Sequence, residues 1–68
     1  MTTTLNAYNF HNRELPEITK LVNQAGDGGF SSRVVSITVG DKTSIVIIET
    51  TGSYPYMESQ WQGLAIPD

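Results

Sequence analysis

From Val34 to Glu49 the chain reads as two β-prone runs around one turn. Val34-Val35-Ser36-Ile37-Thr38-Val39 leads into Gly40-Asp41-Lys42, and Ser44-Ile45-Val46-Ile47-Ile48-Glu49 follows. Such runs, rich in β-branched residues and broken by Gly-Asp, predict a β-hairpin. A one-residue slip moves every side chain to the other face, so the register can be tested on paper. A two-residue Gly40-Asp41 turn sets Ile37 opposite Ser44 and Arg33 opposite Ile48, which mixes apolar with polar. A three-residue loop instead pairs Val39 with Thr43, Ile37 with Ile45, Val35 with Ile47 and Arg33 with Glu49. That gives one apolar face ending in an ion pair, and this register is the one expected. The second face then carries Val34, Val46 and Ile48 among hydroxyls and needs cover from the C-terminal segment, the N-terminal arm or another subunit.

Upstream, Leu15, Ile18, Leu21, Val22 and Ala25 recur at helical spacing, with Glu17, Lys20, Asn23 and Gln24 between them. Pro16 suits a first helical position and Gly26 the residue just past the end. A helix over 16–25, about 15 Å long, is expected to dock its stripe on the first hairpin face. Residues 4–10 alternate, with Tyr8 and Phe10 on one side and Leu5 and Ala7 on the other, as in a short strand added at an edge. His11–Glu14 is a polar connection, and Asp27-Gly28-Gly29 a flexible one. Near the C-terminus Tyr54-Pro55 to Gly63 repeats the Pro-to-Gly punctuation, with Met57 and Trp61 on one face of a short second helix. Residues 64–68 read as extended. The expected fold class is α+β: a small antiparallel sheet built on a central hairpin, one helix on a face, and a second short C-terminal helix, in one domain spanning 1–68.

Size sharpens this picture. The chain has 68 residues, and a domain near that length buries only about 60% of its unfolded surface. No Cys is present and His11 stands alone, so neither a disulfide nor a metal site is expected to support the fold, and no cofactor is foreseen. Good packing or a second subunit must serve instead, which makes a homo-oligomer the natural expectation. No apolar run has transmembrane length, and Met1–Asn6 lacks the basic and apolar regions of a signal peptide. A soluble, cytoplasmic protein is expected, in the host cytoplasm if the source is viral.

The formal net charge is −3. Residues 1–42 balance Arg13, Lys20, Arg33 and Lys42 against Glu14, Glu17, Asp27 and Asp41, so the surplus is Glu49, Glu58 and Asp68 in the last third. Four scattered cations do not make a nucleic-acid footprint. A protein partner with a mildly basic face suits the acidic third better.

Candidate chemistry is sparse. No serine sits in a nucleophile elbow, and no two carboxylates converge beside a cleft, so no catalytic residue is assigned and an enzyme is not expected. Gly28, Gly29, Ser31 and Arg33 resemble a phosphate cradle in composition. They follow a helix and precede a strand, however, so the helix end beside them is the negative one. They define the alternative reading: a nucleotide or other anion held between subunits. A structural assembly subunit is a further alternative. The leading reading is a non-catalytic protein-binding module, an inhibitor or accessory factor of the kind many phages encode, that occludes or bridges a larger protein. Its contacts are assigned to Tyr54, Tyr56, Glu58 and Trp61. Aromatic residues bury much area at little entropic cost. For Trp61 the small size of the chain favours the core, whereas Tyr56 falls off the Met57–Trp61 face and is expected to be exposed.

Overall fold

A computed structural model describes residues 2–67, with Asp27 described by its backbone only. The fold is α+β. Strand β1 (Thr3–His11) leads through a 3-10 turn (Asn12–Glu14) into helix α1 (Leu15–Gln24). A two-residue strand β2 (Gly26–Asp27) precedes β3 (Phe30–Val39) and β4 (Thr43–Thr51), and helix α2 (Pro55–Gln62) follows. The strands form one antiparallel sheet in the order β1-β4-β3-β2. Since β4 runs opposite to both β1 and β3, those two are parallel to each other, and α1 is the crossover that joins them.

Both helices lie on the same face of the sheet. That face contributes Phe10 from β1, Phe30 from β3, and Val46 and Ile48 from β4. Ile18, Val22 and Ala25 at the end of α1 and Trp61 of α2 complete the buried cluster. The helical stripe therefore docks as its spacing predicts, and β1 adds at an edge with Phe10 inward and Leu5 outward. The C-terminus of α1 is fastened to the sheet by Ser32. Its hydroxyl donates to the carbonyl oxygens of Val22, at 2.7 Å, and Ala25, at 3.3 Å, answering acceptors that a helix end leaves unpaired.

The hairpin register differs from the expected one, and the difference changes which face is covered. Arg33 does pair with Glu49 and Val34 with Ile48, but a β-bulge at Val35 then shifts the ladder by one residue. Beyond it Ser36 faces Ile47, Ile37 faces Val46 and Val39 faces Ser44. The loop is accordingly a two-residue turn at Asp41-Lys42, closed by the Gly40 N–H donating to the Thr43 carbonyl oxygen at 3.0 Å. The helices cover the face of Val34, Val46 and Ile48. The face of Ile45 and Ile47, assigned to the helix from sequence, is the open one. The reason lies in β4, where four consecutive apolar residues carry no parity, so the choice of face falls to the surrounding elements.

Asn12 holds the hairpin turn to the start of α1. Its backbone N–H donates to the Lys42 carbonyl oxygen at 2.9 Å, and its side-chain amide donates to those of Gly40, at 2.9 Å, and Asp41, at 3.3 Å. Its side-chain oxygen accepts from the hydroxyl of Ser44, a residue only 1% exposed. No non-glycine residue among those described has positive φ, so this turn is not the primed type that suits strand twist, and Asn12 supplies the missing restraint. Asn12→Ala strips the Ser44 hydroxyl of its buried acceptor and should lower unfolding free energy by about 1–3 kcal/mol. Urea denaturation followed at Trp61 measures this; Asn23→Ala, on the exposed side of α1, should change stability by less than about 0.5 kcal/mol.

Candidate functional site

The aromatic segment forms α2 as its Pro-to-Gly punctuation predicts. Pro55 occupies its first turn, and the Tyr54 backbone N–H donates to the Glu58 carboxylate at 3.4 Å, a long contact that nevertheless draws Glu58 back toward the helix start. Within this segment the four expected contact residues take different roles. Trp61 is 0% exposed and packs in the core, so it offers no surface to a partner. Tyr54 is half-buried with its ring edge-on to Phe30, centroids 6.0 Å apart. Glu58 is half-buried. Tyr56 alone is fully presented, at 71% exposure, beside exposed Pro55, Ser59 and Gln60.

The pinning of α2 accounts for this division. Trp61 anchors the helix on the sheet, and Gln62 donates its side-chain amide to the Tyr8 hydroxyl at 3.2 Å. Tyr56 thereby projects from a helix fixed at its far end. The Trp61 indole N–H finds no hydrogen-bond partner among the described residues, a deficit worth about 1–3 kcal/mol for a buried donor. The bulk of the ring outweighs it, since removing a buried Trp costs about 3–5 kcal/mol.

Glu58 also lines a shallow polar depression of about 400 Å³ with Thr4, Asn6, Thr50 and Ser53. Its wall is made of hydroxyls, an amide and one carboxylate. That donor set suits a guanidinium or ammonium group better than an anion. The acidity expected of the last third is, however, divided. Glu49 lies on the opposite side of the sheet and is spent on Arg33, and Asp68 is outside the described residues.

The alternative anion site is built differently from its sequence-based picture. Gly28 and Gly29 form a tight turn between β2 and β3, with Gly28 at φ 60°. Gly29 packs against Gly52, at φ 85°, where a Cβ would collide with the Gly29 carbonyl oxygen. The glycines thus allow two backbones to meet. Ser31 is exposed, but Arg33 is committed to Glu49, its Nε donating to Oε1 at 2.8 Å. That hydrogen bond first, and the carboxylate charge second, hold the guanidinium above its ordinary pKa. The guanidinium therefore stays charged through neutrality, with that charge already answered by Glu49. Among the described residues no three His, Cys, Asp or Glu side chains group as metal ligands, and no helix is long and apolar enough to cross a membrane.

Nothing in the one-dimensional pattern marked Gly52 or Asn12 as special, because each acts through a partner far away in the chain. Gly52→Ala should cost more than about 1 kcal/mol, from positive φ together with the backbone collision, whereas Gly28→Ala, with open space around its Cβ position, should cost less; thermal melts of the two variants side by side check the order. Trp61→Phe should retain a folded chain and Trp61→Ala should not, as read by circular dichroism. Comparison with protein-family models, curated proteins and solved structures finds no match to this chain.

Proposed function

We propose that the chain is a small non-catalytic protein-binding module, an inhibitor or accessory factor that occludes or bridges a larger protein. The observation that carries this reading is Tyr56, an aromatic side chain 71% exposed on a helix whose other end is anchored by a fully buried Trp. An exposed ring on a fixed backbone is pre-ordered for contact, so little entropy is lost on binding. Aromatic anchors of this kind dominate binding energy in protein interfaces. Glu58 and the polar depression beside it give a basic side chain of the partner a place to dock, so the reading includes a partner with a basic face. Occlusion or bridging fits the chemistry available, because contact needs no convergent acid, base or nucleophile. Size and the lack of such a constellation make phage-encoded inhibitors a reasonable analogy, at the level of class only.

The partner is to be captured from cell lysate on immobilised wild type, then re-bound in purified form to variants. Tyr56→Ala should weaken binding at least tenfold and Glu58→Gln by a smaller factor, with both variants as stable as wild type. Undiminished binding of the purified partner to Tyr56→Ala would overturn the assignment of this surface.

A further inference from the structure

The outer face of the sheet, opposite the two helices, carries no helix or strand among the described residues. Only the C-terminal segment reaches it, at the β1 edge, where the Ile66 N–H donates to the Asn9 carbonyl oxygen at 2.7 Å and Ala65, Ile66 and Pro67 border a depression with Ala7, Asn9 and Ile45. Leu5 is 61% exposed there, Ile45 50% and Val35 43%. Register places them together: Ala7 pairs with Ile47 across β1 and β4, Ile47 faces the bulge at Val35 and Ser36 across β4 and β3, and Leu5 and Ile45 lie above and below that row. The flanking positions of the same face are Thr3, Asn9, Thr38, Thr43 and Thr51, with the titratable His11 opposite Thr43 at the turn end. An apolar centre inside a polar rim is the anatomy of a contact surface.

We propose that this face joins two copies of the chain, sheet against sheet, as a symmetric dimer. The proposal adds to the protein-binding reading a first partner, the chain itself, and leaves Tyr56 and Glu58 free on the far side of each copy. Charge favours a copy over another partner. The charges inside the patch are Arg33 and Glu49, and they neutralise each other at 2.8 Å. Two such faces meet without repulsion although each chain carries −3, and a basic partner finds nothing unpaired to grip. Three strands of nine or ten residues span roughly 30 × 14 Å at about 3.3 Å per residue and about 4.8 Å per strand, so a two-copy contact uses the whole face, and stacked sheets bring facing β-branched side chains together at a spacing of about 10 Å.

Ile45 and Ile47 lie on β4, which has β1 on one side and β3 on the other, so they sit near the middle of the contact measured across the strands. Sedimentation equilibrium of wild type across the micromolar range should give a dimer of the 7.5 kDa chain. Ile45→Glu should weaken association at least tenfold while leaving circular dichroism and Trp61 fluorescence unchanged; Ile45→Thr, which keeps β-branching, tests the same position if the glutamate variant does not fold. The chain has no native Cys, so Ile45→Cys with a short bismaleimide should cross-link efficiently and Val39→Cys, at the tip of β3, poorly. A wild type that remains monomeric, a dimer that survives both Ile45 substitutions, or stronger cross-linking through Val39→Cys overturns the proposal. None of these readouts involves the larger partner. A failure here therefore leaves the Tyr56 reading standing, and a failure of Tyr56→Ala leaves the dimer standing.

Discussion

The rest of the structure depends on how β4 is buried. It is the central strand, hydrogen-bonded to β1 on one side and β3 on the other, and every second side chain from Ser44 to Thr50 is shut away beneath the helices. Its neighbours must match that parity to contribute to one core. β1 does so by plain alternation through Phe10. β3 does so only through the bulge at Val35, which lets Val34 and Ile37 occupy the same side although they are three apart. A bulge on an edge strand also adds local twist and disrupts the regular row of edge donors and acceptors. That property suits β3, because β2 pairs with only its first two residues.

On this frame the two helices do unequal work. α1 carries a broad apolar stripe and is tied at both ends, by Asn12 to the hairpin turn and by Ser32 to β3. α2 has a weak stripe and rests on Trp61. A chain of this length has roughly 3–10 kcal/mol of stability in total, so one buried Trp accounts for a large share of it. The same residue converts the start of α2 into a fixed platform. Stability and presentation of Tyr56 are therefore coupled through a single side chain that itself touches nothing outside. The open sheet face is the complement of this arrangement: with both helices spent on one side, the apolar residues of the other meet only the C-terminal segment at the β1 edge and whatever lies outside the chain.

The elements were largely legible in the sequence because each has a local cause. Pro16 and Gly26 bracket a periodic stripe, Tyr8 and Phe10 alternate with Leu5 and Ala7, and Pro55 to Gly63 encloses Met57 and Trp61. Each reappears as the element predicted, within a residue or so at the boundaries. The Arg33–Glu49 pair was legible too, since opposite charges close an otherwise apolar row. The turn and the register beyond Val35 were not. A bulge leaves no mark in a Val-Val pair, and the run Ile45–Ile48 is apolar on both faces. The candidate site was legible in part: Tyr56 stands exposed as its position off the Met57–Trp61 face implies, but Tyr54 against Phe30 and Glu58 at the helix cap depend on neighbours that composition does not name.

The sequence alone determined the α+β class, the order of the three long strands and two helices but not the two-residue β2, the lack of any disulfide, and the concentration of aromatic residues in the last helix. Periodicity, caps and turn residues act over a few positions, and those can be read along a line. The tertiary structure decided which face of the sheet is core and which is surface, that Trp61 is an anchor and Tyr56 a contact, and that Arg33 is already paired. These outcomes depend on which surfaces exclude water together. That is a property of all the elements at once, set when β1, α1 and α2 close over the same side of β4.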